Sequence, residues 1–129
     1  MPGEISKLAK YIFLLFFIVT LIFGVVWFFA PEYWNSISGW PSEIASGRIV
    51  GMAVLVMAIG SILAFRASSW QQVELYVIMA LLFNFLGVVG MLWNVLTMPT
   101  LPWIAWVLIG LNALFGVLYL YIYFTQKKV

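Results

Sequence analysis

Four apolar runs of about twenty residues or more make up most of this chain of 129 residues. They extend from about Leu8 to Ala30, Ser46 to Phe65, Val73 to Thr97 and Pro102 to Phe124. At a rise of about 1.5 Å per residue, each is long enough as a helix to cross a hydrocarbon layer of about 30 Å. A barrel strand would alternate apolar and polar residues over about 10 positions, whereas these runs are apolar on every side. Backbone groups inside lipid must be satisfied within the segment, which leaves helices. The predicted fold is all-α: an integral membrane, antiparallel four-helix bundle, forming one domain over residues 1–129.

Composition agrees and removes other classes. Only 8% of residues are charged and 66% are apolar, against about 25% charged in a soluble domain. So few charges exclude a soluble enzyme, a disordered tail and a nucleic-acid-binding module. The net charge of +2 comes from Lys and Arg flanking the runs, so no nucleic acid partner is expected. The chain has no His, no Cys and no Asp. Thiolate metal sites, iron–sulfur clusters and imidazole-held haem are therefore ruled out. The usual general base is missing too. Neither metal nor cofactor is expected, and with only Tyr and Glu for acid–base work the chain is not expected to be an enzyme.

The connections punctuate the runs. Pro31 can end the first helix, and Glu32 to Ile44, rich in turn formers and Trp, reads as the single long loop. Ser69 with Gln72 fits a capping box at the start of the third helix. Thr100 can cap the fourth, with Pro102 in its first turn. Short second and third links imply antiparallel neighbours. Lys7 and Lys10 precede an apolar run longer than the about 7–15 residues of a signal peptide, and no Ala-x-Ala precedes Pro31, so this run is expected to remain as a span.

Charge sets the orientation. An even number of spans puts both termini and the middle link on one face, which carries Lys7, Lys10, Arg66, Lys127 and Lys128. The other face has Arg48 with Glu32 and Glu43. The positive-inside rule then places both termini in the cytoplasm. Aromatic belts fit: Tyr33, Trp34, Trp40, Trp93, Trp103 and Trp106 at the outer interface, Trp70, Tyr121 and Tyr123 at the inner one.

Small and polar residues mark where membrane helices meet. The second helix carries Gly47, Gly51, Val54, Ala58, Ser61 and Phe65 at alternating spacings of four and three. The third carries Ala80, Asn84, Gly87, Met91 and Asn94, and the fourth Ala105, Ile109, Asn112, Gly116, Tyr119 and Tyr123. In the first, Phe13, Phe17, Thr20, Gly24 and Trp27 form a weaker stripe. A repeat averaging 3.5 residues predicts a left-handed bundle.

Polar side chains within the spans are the candidate functional residues. Asn84 and Asn112 fall near mid-depth, where they can hydrogen-bond to each other between helices or contact a substrate. Arg48 sits just inside the outer boundary, level with Asn94 and within loop reach of Glu32 and Glu43. It can snorkel as an interfacial anchor, clamp the loop through those acids, or receive an anionic group. The clamp is the expectation, so Arg48→Lys, which keeps the charge but loses the planar fork, should lower thermal stability, and Arg48→Ala more so. Glu74 with Arg66 reads as an ordinary surface pair.

Three features carry a family resemblance: Phe29-Ala-Pro31 leaving the first helix, Gly47-Arg-Ile-Val-Gly51 opening the second, and a third helix with Asn and Gly. From about Phe29 to Tyr123 the chain thereby resembles the small prokaryotic four-helix membrane proteins of the DoxX-like type. Some members of that family are small subunits of respiratory oxidoreductases. The resemblance implies a bundle in a prokaryotic cell membrane with an accessory role, and supplies no catalytic residues.

Two functions follow from these readings. The first is a structural or accessory subunit, packed against itself or larger membrane subunits, with lipid around it. The second is a binder or carrier of a lipid, quinone or other apolar ligand held near Arg48, Asn84, Asn94 and Asn112. The topology is directly testable because the chain lacks Cys. Ser38→Cys should react with an impermeant thiol reagent added to intact cells, and Ser68→Cys should not; the opposite pattern would reverse the orientation.

Overall fold

The computed structural model describes residues 3–41 and 43–127, and among these it is helical with no strand. The helices are α1 Lys7–Phe29, α2 Pro31–Ser38, α3 Ile44–Arg66, α4 Trp70–Thr97 and α5 Ile104–Lys127. All but α2 are long and apolar enough to span a membrane.

Local chemistry sets the boundaries. Ser6 caps α1 by accepting from the N–H of Ala9 at 3.1 Å. The α4 capping box is formed, the Gln72 side-chain oxygen accepting from the N–H of Ser69 at 3.4 Å and that of Ser68 at 3.0 Å. Two expectations need correction. The stretch read as a loop contains α2, because Pro31 begins a helix as well as ending one. Its missing N–H and fixed φ suit a first helical position, and α2 then stops at Gly39, whose φ is 75°. Trp34 folds back from α2 onto Trp27 and Phe23, with ring centroids at 5.5 and 5.9 Å. The second correction concerns α5, which starts at Ile104. Pro102 accepts a turn bond from Ala105 at 3.0 Å, so it precedes the helix and Thr100 does not cap it.

The helices assemble as two pairs. α1 packs chiefly on α3 and α4 chiefly on α5, with little contact between the pairs. Glycine makes the first seam close. A Cβ on Gly51 would meet the α1 backbone, 2.8 Å from the Phe28 Cα, and one on Gly24 would lie 2.9 Å from Leu55 Cδ2. The pairs meet in one half of the molecule, where Phe13 and Phe16 of α1, Met57 of α3, Val77 of α4 and Phe115 and Tyr119 of α5 form the buried core. The stripes expected from sequence are buried in part. Phe13, Thr20 and Gly24 of α1, Gly51, Val54, Ala58 and Ser61 of α3, Ala80 and Asn84 of α4, and Ala105, Ile109, Gly116 and Tyr119 of α5 are buried. Gly47, Phe65, Gly87 and Met91 are half-buried, and Asn94 is exposed.

Polar bonds gather the chain ends at that half. Ser6 N–H donates to the Gln126 side chain at 2.6 Å, and Gln126 donates to the Glu4 carbonyl at 3.0 Å. Trp70 N–H donates to the Gly3 carbonyl at 2.7 Å, and Lys10 Nζ to the Ala67 carbonyl at 3.3 Å. We call this the basic end and the opposite one, with α2, the tryptophan end.

Glycines at the seam should differ sharply from those on the surface. Gly51→Ala should gain about 1 kcal/mol of helix propensity yet lose about 1–3 kcal/mol to overpacking, for net destabilisation. Gly90 and Gly110, with nothing within 4 Å of an added Cβ, should accept Ala with unchanged or higher stability. Thermal unfolding in detergent measures both.

Candidate functional site

Because the pairs meet mainly at the basic end, they leave a crevice between them toward the tryptophan end. Its volume is about 430 Å³, and all four spanning helices line it, among them Phe16 and Thr20 of α1, Val54 of α3, Asn84 and Gly87 of α4, and Asn112 and Phe115 of α5. A second cavity of about 200 Å³ lies nearer that end, between Trp34, Trp40, Asn35 and Asn94. The two share Trp27, Val50, Met91 and Leu108 as wall. The Trp27 indole N–H is buried there without a partner among the described residues.

Asn84 and Asn112 both reach the crevice, but they do not bond each other. Asn84 Nδ2 donates to the Ala80 carbonyl at 2.8 Å and Asn112 Nδ2 to the Leu108 carbonyl at 3.1 Å. In apolar surroundings the nearest acceptor for each amide is a carbonyl four residues back on its own helix. Each asparagine instead faces a glycine across the α4–α5 seam. A Cβ on Gly87 would lie 2.8 Å from Asn112 Oδ1, and one on Gly116 would lie 3.6 Å from the Asn84 Cβ. Both carboxamide oxygens lack a hydrogen-bond donor among the described residues. Thr20 contributes less polarity, since its hydroxyl donates to the Phe16 carbonyl at 2.6 Å.

The residues expected around Arg48 separate. Arg48 Nη2 donates to Glu32 Oε1 at 3.3 Å, with about half of each side chain exposed. α2 brings this pair together by continuing the chain as a helix from Pro31, which lies against Gly47. Glu43 precedes α3 and accepts only a backbone bond from Gly47 at 3.0 Å among the described residues. Asn94 belongs to the wall of the smaller cavity, which Arg48 does not line. The expected convergence on Arg48 thus reduces to one exposed contact, since a half-exposed guanidinium is solvated without a cluster of acids. Arg66 likewise makes no ion pair with Glu74 among the described residues, and it is exposed.

Sequence reasoning missed a chain of hydroxyls beneath the crevice. Ser61 on α3 is hydrogen-bonded to Tyr76 on α4, and Tyr76 to Tyr119 on α5 at 2.7 Å. Ser61 and Tyr119 are fully buried. Phe13 of α1 packs edge-on to Tyr76 at 5.8 Å and stacks on Tyr119 at 6.1 Å. Gly60 makes the arrangement possible, since a Cβ there would lie 2.9 Å from the Tyr76 ring. The signal was present: Tyr76 lies four residues before Ala80, one step back along the α4 stripe.

No known family, curated protein or solved structure matches this chain. The arrangement itself therefore has to carry the functional reading. Among the described residues no nucleophile is paired with a base. The arrangement does offer an apolar crevice with two hydrogen-bond acceptors part-way down.

The two polar contacts should respond oppositely to conservative change. Tyr76→Phe should cost about 1–2 kcal/mol, the upper part of the range for interhelical bonds in membranes. Arg48→Lys should change stability by less than about 0.5 kcal/mol, as for an exposed ion pair. Unfolding midpoints in detergent would decide, and a costly Arg48→Lys with a silent Tyr76→Phe would invert this ranking.

Proposed function

We propose that this chain is a small membrane protein that binds an apolar ligand, such as a lipid or quinone, between its two helix pairs. The observation carrying this reading is the crevice of about 430 Å³ with Asn84 and Asn112 in its wall. Small-molecule sites have volumes of about 300–1,000 Å³ and are mostly apolar with a few placed polar groups. The apolar walls match a hydrocarbon body, and the free carboxamide oxygens match a head group that donates a hydroxyl or N–H. The chain binds or carries; it does not catalyse.

In this reading the protein lies in a prokaryotic cell membrane with both termini in the cytoplasm, as an antiparallel, left-handed bundle. Support for the alternating directions comes from the basic end, where the starts of α1 and α4 meet the ends of α3 and α5. The 3.5-residue stripes support the hand, and the charge count supports the orientation.

A second reading, an accessory subunit of the DoxX-like kind or a homo-oligomer, has one observation in its favour. Gly90 and Gly110 face open space on the exposed surfaces of α4 and α5, and small residues at such positions let another membrane helix approach closely.

Purification in mild detergent followed by extraction and mass spectrometry separates the two. The wild type should carry an apolar molecule at near-stoichiometric level. Leu111→Trp, which fills the crevice, should abolish retention. Asn84→Leu or Asn112→Leu should lower it roughly threefold to tenfold, the effect of one hydrogen bond of about 1 kcal/mol. Co-eluting subunits without any retained molecule would sink the binding reading in favour of the accessory one.

A further inference from the structure

A different feature lies at the basic end. α3 and α4 share few contacts, and near their linked ends they leave a lateral groove of about 680 Å³. Gly60 and Ala64 line it on α3, with Leu63 beside them, and the Tyr76 ring faces them from α4; Arg66 and Gln72 stand at its mouth. From Gly60 to Arg66 the helix rises about 9 Å, so an apolar floor lies below a cationic mouth. That is the layering of a phospholipid, with phosphate at the interface and chain beneath.

Arg66 is the charged residue in the groove's lining. Arg66 makes no ion pair among the described residues, and Lys10 reaches the same place by donating to the carbonyl of Ala67, another groove residue. We propose that this groove binds one anionic phospholipid, an acyl chain lying over Gly60 and Ala64 and the phosphate on the Arg66 guanidinium with Lys10 beside it. The planar guanidinium suits bidentate contact with phosphate oxygens, and basic pockets between helices at the membrane face hold anionic head groups. A second copy of the chain fits less well, because a two-fold contact would set the same cations against each other.

The test uses the full chain in detergent, with phosphatidylglycerol and phosphatidylcholine of identical acyl chains added separately. Native mass spectrometry counts bound lipid and thermal unfolding reads its effect. Phosphatidylglycerol should be retained as one molecule and raise the midpoint, and phosphatidylcholine should do neither. Arg66→Gln should weaken phosphatidylglycerol binding by about fivefold, the contribution of one basic residue near the surface. Arg66→Lys should recover part of that loss, and Arg48→Gln, at the other end, should leave binding unchanged. Equal binding of the two lipids, an Arg66→Gln variant that keeps the full preference, or the same midpoint shift from inorganic phosphate alone would each overturn the proposal. A phosphatidylglycerol effect confined to a dimer would do the same.

Discussion

Three hydroxyl groups, on Ser61, Tyr76 and Tyr119, link the two helix pairs through the interior. Ser61 belongs to the α1–α3 pair, and the tyrosines to the α4–α5 pair. Lipid supplies no hydrophobic drive between helices, because acyl chains are as apolar as leucine; close packing and interhelical hydrogen bonds hold the structure instead. Within each pair glycines provide close packing. Between the pairs contact is sparse, and this chain of bonds, with Phe13 packed on both tyrosine rings, fixes the mutual position that every other feature assumes. The crevice exists because the link lies toward the basic end and, among the described residues, no interhelical hydrogen bond joins the pairs at the other.

Polar groups in the spans divide by what already satisfies them. The hydroxyl chain satisfies itself and is structural. The Thr20 hydroxyl is taken up by its own helix, and so is one amide donor on each of Asn84 and Asn112. What survives is the oxygen and a second amide N–H on each carboxamide, together with the Trp27 indole N–H, all facing a mostly apolar space. An unsatisfied acceptor at that depth is costly in a medium without water, and a ligand that brings a donor removes the cost. Binding of such a ligand is thereby favoured by the same desolvation that makes the oxygens unfavourable alone.

The spans were legible because their apolar periodicity and the absence of charge leave a single way to satisfy the backbone in lipid. The stripe residues Gly51, Ser61, Asn84 and Tyr119 were legible for the same reason, since small or polar residues at helical spacing have few other places to go. α2 was not. Pro31 carries the same local signal as helix terminator and as first helical residue, and the packing of Trp34 on Trp27, which favours the second, is tertiary. The asparagine bonds were misread because spacing puts both at one depth without saying that glycines, rather than each other, lie opposite. Arg48 was legible in part: its contact with Glu32 follows from loop reach, but position in sequence does not say that Glu43 and Asn94 stay apart from it or that its side chain remains half-exposed.

The pairing pattern also orders the assembly of the chain. Each tight pair is contiguous in sequence, so α1 with α3 can be complete before α5 has been made, and domains form from the N-terminus during synthesis. The Ser61–Tyr76 bond spans 15 residues and the Tyr76–Tyr119 bond 43. Those that join Gln126 to Ser6 and Glu4 span 120 and 122. The Gln126 bonds can therefore form only once α5 has been made, and they tie that helix to the segment leading into α1, as a latch across both helix pairs.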